Sequence, residues 1–600
     1  MKYFFYPKTI IRIILTTMIA VLFFASCQKI TDIIETPTAP VVTPTDLTTK
    51  VSSSVSGFVT DENELPVKNA NVFVGTSTTL TDKYGYFEIR NVQVVQNAAM
   101  VTIAKTGYFK GIKTYIATAG KSAFFRIKLI AKVTGGTVNA ATGGTVTVAG
   151  NLSILFPASA FVNASTNASY TGTVNVAAFK IDPTSADLPR IMPGDLRGLN
   201  TDGNLQILTS YGMAAVELTG AGGELLQIAP GKKATMTMPI PSSIIASAPT
   251  TIPLWYFDET NGLWKQEGTA TKVGNNYVGD VSHFSFWNYD VPANYVQFNC
   301  TVVNAAGLPL PNVFVKISRI ANPGSSGFGY TNSLGYTGGA IPNNTQLLLE
   351  IFGNFLCSTP VYTQILTTTN TNVSLGTITI SASFSSTVLN GSVINCNNAP
   401  VTNGYIMIQD GFNFTRVQLN SNGSYILNRL FCNSPQNIIL IGEDSSAGQQ
   451  SIPVNVSVVA GINNIPVIQA CGISMQQFLN YSINGTSYSY IVPPDGLILS
   501  GSGTNTEYSI FATNNANPNS TMILFNRIGI ATGSVQNLFQ FRPVQIIDST
   551  NINGAIGINI TEYGNVGQYM SGNFSGVITG SPPSSTIYNI TCAFRIKRTL

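Results

Sequence analysis

The feature that most constrains this chain is the spacing of its turns. Short runs rich in Val, Ile, Thr, Phe and Tyr are broken by Gly, Asn, Asp or Pro about every 8–12 residues, along almost the whole chain. Amphipathic helices need longer uninterrupted periods, and only Ser242 to Ser247 reads as one short helical turn. The expected fold class is all-β, built as tandem β-sandwich modules. Charged residues make up 10% of the 600 residues, with 31 Lys and Arg against 27 Asp and Glu. Soluble domains usually carry roughly 25%, so Ser, Thr and Asn must fill the solvent faces. A net charge of +4 with no Lys/Arg stripe excludes a nucleic-acid partner. The single histidine excludes every site built on two or more, including the common zinc and iron centres, and no cofactor motif appears.

Three stretches share one outline. Each begins with a Pro-containing turn that feeds an apolar strand: Leu65-Pro66-Val67, Leu308-Pro309-Leu310 and Ala399-Pro400-Val401. Each then has an Asp/Asn-to-Gly turn: Thr81 to Gly85, Thr331 to Gly335 and Asn420 to Gly423. Asp or Asn closes a turn through its side chain, and Gly supplies the positive φ that follows. The first stretch, Val55 through Ile89, resembles the carboxypeptidase-regulatory-like family of transthyretin-type β-sandwiches, and the other two resemble it more loosely. That resemblance implies a non-catalytic accessory sandwich; the zinc-binding pattern of the peptidase is absent from this chain.

The N-terminus reads as an export signal. Lys2, Lys8 and Arg12 precede an apolar core from Ile13 to Phe24, followed by Ala25-Ser26-Cys27. These residues resemble a bacterial lipobox, which implies palmitate-type acylation of Cys27 and a membrane partner through that anchor. Thr/Pro/Ser-rich residues 28–52 form a tether. Beyond the leader no apolar run reaches the ~18 residues that span a bilayer. Gln28-Lys29 differs from the acidic run of surface-exported Bacteroidetes-type lipoproteins, which favours the periplasmic side of the outer membrane. Of the other six cysteines, Cys300–Cys357 and Cys396–Cys432 are expected as disulfides within single repeats, leaving Cys471–Cys592.

The middle stretch ends with Leu254-Trp255-Tyr256-Phe257, Gly262-Leu263-Trp264 and His283-Phe284-Ser285-Phe286-Trp287. This order resembles the ZU-type and GAIN β domains and the ectodomain of the astroprincin group, some of which cut themselves at a His-hydrophobic-Ser/Thr tripeptide. In that reading the Ser285 hydroxyl attacks the Phe284 carbonyl with His283 as base, an N→O acyl shift whose ester water then hydrolyses. The bland alternative is a half-buried strand histidine whose ring a backbone carbonyl satisfies. Asp182, Asp187, Asp195 and Asn200-Thr201-Asp202-Gly203 offer oxygens for calcium in a spacing that matches no EF-hand loop. Trp255, Tyr256 and Trp264 are candidates for stacking on a sugar.

The expected organisation is a signal peptide at 1–26, a lipidated tether at 27–52, sandwiches at 53–131, 293–382 and 383–470, a ZU/GAIN-like domain at 132–292 and a closing β domain at 471–600. The function expected is a non-enzymatic cell-envelope lipoprotein, a structural or ligand-binding rod for a protein or carbohydrate partner. A self-cleaving surface protein and a carbohydrate-binding accessory protein are the alternatives.

Overall fold

The same pair of turns opens each of the three repeats. Asp61 Oδ1 accepts the backbone N–H groups of Asn63 and Leu65, both at 2.9 Å. Asn304 does this for Ala306 and Leu308, and Asn395 for Asn397 and Ala399. The turn lays a proline against the preceding strand, in bridges Thr60–Pro66, Val303–Pro309 and Ile394–Pro400. In the second turn Asp82 Oδ1 holds the N–H groups of Tyr84 and Tyr86, and Asn332 those of Leu334 and Tyr336. Gly85, Gly335 and Gly423 follow with φ of 72°, 72° and 76°. A Cβ there would lie 2.2, 2.3 and 2.5 Å from the carbonyl oxygens of Val59, Val302 and Val393, so close approach and conformation both demand glycine.

The computed structural model describes residues 45–320, 322–381, 386–432, 435–474, 477–492, 495–501, 507–514, 517–526, 535–546, 550–552, 556–563, 569–580 and 586–598. Cys27 and the leader lie outside the described residues. The architecture is all-β, as the turn spacing predicts. In the first repeat Lys50–Thr60 is the centre of a three-stranded sheet, antiparallel to Tyr86–Val95 and parallel to Ser122–Lys128. A four-stranded sheet, ordered Ser77–Leu80, Asn71–Val74, Ala99–Ala104 and Gly111–Tyr115, faces it. Strict inward alternation, as in Ala99–Ala104, builds the core between them from Val55, Val72, Phe87, Val101 and Ile103. The second and third repeats use the same plan, each with its first strand parallel to its last: Tyr295–Val303 beside Val373–Thr379, and Ser386–Asn395 beside Gly461–Asn464 and Ile468–Ala470.

Between the first two repeats, one sheet of thirteen strands surrounds the core of the middle domain. The predicted helical turn appears as a 3₁₀ turn at Ile245–Ser247. At the end of the chain a ten-stranded sheet joins Gln477–Ile483 to Ile587–Lys597. No helix among the described residues is long and apolar enough to cross a membrane.

The disulfides correct the expected pairing. Parallel pairing sets Asn395 opposite Ala470. The next residues, Cys396 and Cys471, therefore meet with Cα atoms 5.0 Å apart and bond. Cys357 bonds to Cys432, with Cα atoms 5.1 Å apart, and so joins the second repeat to the third. Cys300 and Cys592 are unpaired. Both face inward from strands, 1% and 2% exposed, and each packs into its own module's core. Burial pushes the Cys300 thiol up to about 12 and the Cys592 thiol well above the ordinary range. The pairings Cys300–Cys357, Cys396–Cys432 and Cys471–Cys592 are thereby overturned.

The modules do not touch only their neighbours in the chain. Phe58 of the first repeat packs with Met407, Phe414 and Ile441 of the third. Asn332 of the second donates to Ser122 O at 3.0 Å, and Asn480 of the last domain donates to Asn69 Oδ1 at 3.2 Å. Phe109, Ile112 and Ile130 share a core with Trp255, Phe257 and Trp264 of the middle domain. The first sandwich is thus a hub rather than the end of a string.

Candidate functional site

Strand Asn276–Val281 ends in a bend, Ser282 to Ser285, before strand Phe286–Ala293 begins. The Phe284 ring drives this shape, since it is 5% exposed and packs 5.6 Å from Phe156 in the core. Its peptide is held from both sides by one side chain. Gln227 Oε1 accepts the Phe284 N–H and Gln227 Nε2 donates to Phe284 O, both at 2.8 Å. Trp287 Nε1 donates to His283 O at 2.9 Å.

The imidazole of His283 is half-buried, edge to face with Tyr256 at 4.7 Å and 5.1 Å from the Trp287 ring. Its Nε2 lies 3.7 Å from Glu267 Oε2, and Glu267 also accepts from the Ser282 hydroxyl. Burial lowers the His283 pKa against the opposing pull of Glu267, so the ring is neutral at neutral pH. Ser285 Oγ donates forward to Phe286 O at 3.2 Å. The fold brings His283 and Ser285 into one bend, with their side-chain bonds directed to Glu267 and to Phe286 O. None of residues 282–285 has a positive φ. Gln227 belongs to a strand, Leu225–Ile228, far away in sequence, and nothing local to it announces this role.

Two other candidate constellations are corrected. Trp255 and Trp264 are 0% exposed, so neither is able to stack on a sugar. Trp255 Nε1 donates to Asp290 O at 3.2 Å, and both rings sit in the core shared with the first sandwich. The aspartates proposed for calcium are engaged elsewhere. Asp182 Oδ1 accepts from the N–H and hydroxyl of Thr184, and Asp195 Oδ2 accepts from Arg197 Nε at 2.7 Å. Asn200 closes its own turn onto Asp202 and Asn204. Asp187 bonds Lys128 at 2.8 Å and also Arg190. No group of three His, Cys, Asp or Glu able to hold a metal occurs among the described residues.

Asp187 belongs instead to a network that fastens the first sandwich to the middle domain. Arg190, on the short helix Leu188–Ile191, donates to both oxygens of Glu64 at 2.5 and 2.8 Å. Lys128 Nζ bridges Glu64 at 2.9 Å and Asp187 at 2.8 Å. Burial alone would raise the Glu64 pKa; the bonds from Arg190 and Lys128 outweigh it and leave the carboxylate below its ordinary value. Lys110–Glu259 adds another bridge across the same junction. Lys113, 5% exposed, donates to Pro189 O at 3.0 Å and Met192 O at 2.6 Å, and burial brings its pKa down to about 7.

No family model matches the chain. Among curated proteins, cartilage intermediate layer protein 2 of Homo sapiens is 29% identical over 126 residues, which are 20% of this chain and 10% of that protein. The Mus musculus protein of the same description is 31% identical over 106 residues, 18% of this chain and 9% of that protein. The match thus spans about a tenth of the length of these relatives. Among solved structures, the shaft pilin SpaA of Lactobacillus rhamnosus GG has 10% identity and a TM-score of 0.17, covering 30% of this chain and 99% of the pilin. The Streptococcal ancillary pilin has 10% identity and a TM-score of 0.14, covering 40% of this chain and 98% of its own. The Bacillus anthracis TIE protein has 10% identity and a TM-score of 0.14, covering 60% of this chain and 73% of its own. At those scores the superpositions carry no argument about this chain.

Proposed function

We propose that this protein is a non-enzymatic scaffold of the bacterial cell envelope, acylated at Cys27 and held on the outer membrane by that anchor. Its three repeats serve as carboxypeptidase-regulatory-like sandwiches and its middle domain as a ZU/GAIN-like module. The observation that supports this reading is the use made of the charges at the first junction. Glu64, Lys128, Asp187, Arg190, Lys110 and Glu259 all act as fasteners between modules. Purified protein on a denaturing gel is expected to run as one full-length band. Radioactive palmitate is expected to label the wild type but not Cys27→Ala; a labelled variant would remove the anchor from the proposal.

One observation favours a second reading, cleavage between Phe284 and Ser285. The Gln227 amide sits 2.8 Å from the carbonyl oxygen that would carry the developing negative charge, where an oxyanion donor belongs. The neutral His283 is of the right type to take the hydroxyl proton. The same gel decides: two fragments of about half length, abolished by Ser285→Ala, would replace the uncut scaffold with a self-processing one.

A further inference from the structure

Between the first sandwich, the middle domain and the second sandwich lies a cavity of about 230 Å³. One water needs only roughly 10–15 Å³ of such space, so this is room for an organic molecule. Part of its wall is apolar, from Phe125, Leu208, Phe328 and Leu347. The ionisable part is almost wholly cationic. Lys113, Lys121, Arg126 and Arg319 line it, while its acidic lining residue, Asp195, is already paired with Arg197.

Several of these donors lack an acceptor. Arg126 is 6% exposed and gives one terminal nitrogen to Phe414 O at 2.9 Å, while its Nε has no hydrogen-bond partner. The buried Nε of Arg319 and the buried hydroxyl of Tyr330 also have none. A buried guanidinium is ordinarily paired with a carboxylate, because an unmatched buried charge is costly. Here Phe58 and Phe124 rings stand 5.3 and 5.2 Å from the Arg126 guanidinium, and burial brings its pKa down to about 9. Unmatched donors beside an apolar wall are the complement of an anion with an apolar body.

We infer that this cavity binds a small organic carboxylate with an apolar tail, its carboxylate received by Arg126 and Tyr330. The planar guanidinium fork suits a carboxylate, and the aromatic and aliphatic wall suits the chain behind it. The inference goes beyond the scaffold reading and stands whether or not Cys27 carries lipid or the middle domain is cut.

Isothermal titration of the full-length protein with octanoate, octanol and octylamine tests it. Octanoate is expected to bind, octanol to bind more weakly by roughly 10- to 100-fold, and octylamine to give no measurable heat. Arg126→Gln should weaken octanoate by a similar factor and leave the octanol titration unchanged. Tyr330→Phe removes a single hydroxyl and should weaken octanoate roughly 3- to 10-fold; it keeps the test open if an arginine variant fails to fold. Equal affinity for octanoate and octanol, octanoate binding indifferent to both substitutions, or no octanoate heat at millimolar concentration would each overturn the assignment.

Discussion

The first sandwich and the later two repeats share one plan of strands and turns but are fastened by different chemistry. No cysteine lies between Cys27 and Cys300, so the first sandwich is joined to its neighbours by ion pairs, hydrogen bonds and apolar contact, without a disulfide. The second and third repeats are joined to each other by Cys357–Cys432, and the third is closed by Cys396–Cys471. The contrast reaches into the backbone of one turn. At the position before the Leu/Ala-Pro step the later repeats have Gly307 and Asn398, with φ of 77° and 60°. The first repeat has Glu64 there, with φ 65°. A long side chain in the left-handed region costs on the order of 1 kcal/mol or more. Only Glu64, of these three residues, has a carboxylate to reach Arg190 and Lys128. Local strain is tolerated there because the charge docks another module.

Breaking the covalent side of this contrast should have the largest effect. Each disulfide spans a sequence separation of 75 residues. Loop-closure entropy for that span is worth about 4 kcal/mol. Cys396→Ser with Cys471→Ser should lower the unfolding midpoint of the third repeat by that measure in urea, and leave the transition of the first sandwich in place. A first-sandwich transition that shifts equally would erase the contrast. Peptide mapping without reduction should recover 357–432 and 396–471 as linked pairs, with Cys300 and Cys592 alkylated only after unfolding.

The electrostatic side should yield less. Glu64→Gln leaves Arg190, whose side chain is 7% exposed, with Asp187 as its remaining acidic partner. The expected cost is about 2 kcal/mol, below the 3–5 kcal/mol of a buried pair broken outright. Glu64→Gly removes these bonds and also the backbone strain, so it should be less harmful by about 1 kcal/mol than Glu64→Ala, which removes the bonds and keeps the strain. Urea titrations of Glu64→Gly and Glu64→Ala measure the difference, and identical midpoints would deny the strain.

The smallest effect concerns Lys113. Burial holds it at about 7 in the folded chain, whereas an unfolded lysine titrates near ~10.4. Between those values the unfolded state binds more protons, so stability rises with pH across that window, and the full penalty is present below about pH 7. Relative to Lys113→Met, the wild type should gain about 1 kcal/mol between pH 7 and pH 8 in paired urea titrations. A difference that stays flat with pH would show the ammonium to be better solvated than its surroundings suggest.

What was legible in the sequence was what residues within a few positions decide. Asp61 and Asp82 make turns with N–H groups two and four residues on, so the repeats and the strand periodicity follow from local chemistry. The disulfides were not legible, because parallel first and last strands bring Cys396 to Cys471 while Cys432 leaves its own repeat for Cys357. The tryptophans misled for a related reason. An amphipathic-looking Trp255 and Trp264 are buried by another module, the first sandwich, which no local pattern reveals. Gln227 and the cavity donors Arg126, Arg319 and Tyr330 likewise acquire meaning only when distant segments meet.

The parallel pairing of first and last strands also has a mechanical consequence. In each repeat the chain enters at one end of that pair and leaves at the other. Tension along the chain therefore loads their hydrogen bonds together, in shear, rather than peeling them one at a time. In the third repeat the strand pair ends at Asn395 and Ala470, and the next residues are the bonded Cys396 and Cys471. A pull on the C-terminal domain passes through that sulfur bridge into Cys396 and along the first strand, so in the third repeat a covalent clasp carries the load and spares the strand pair.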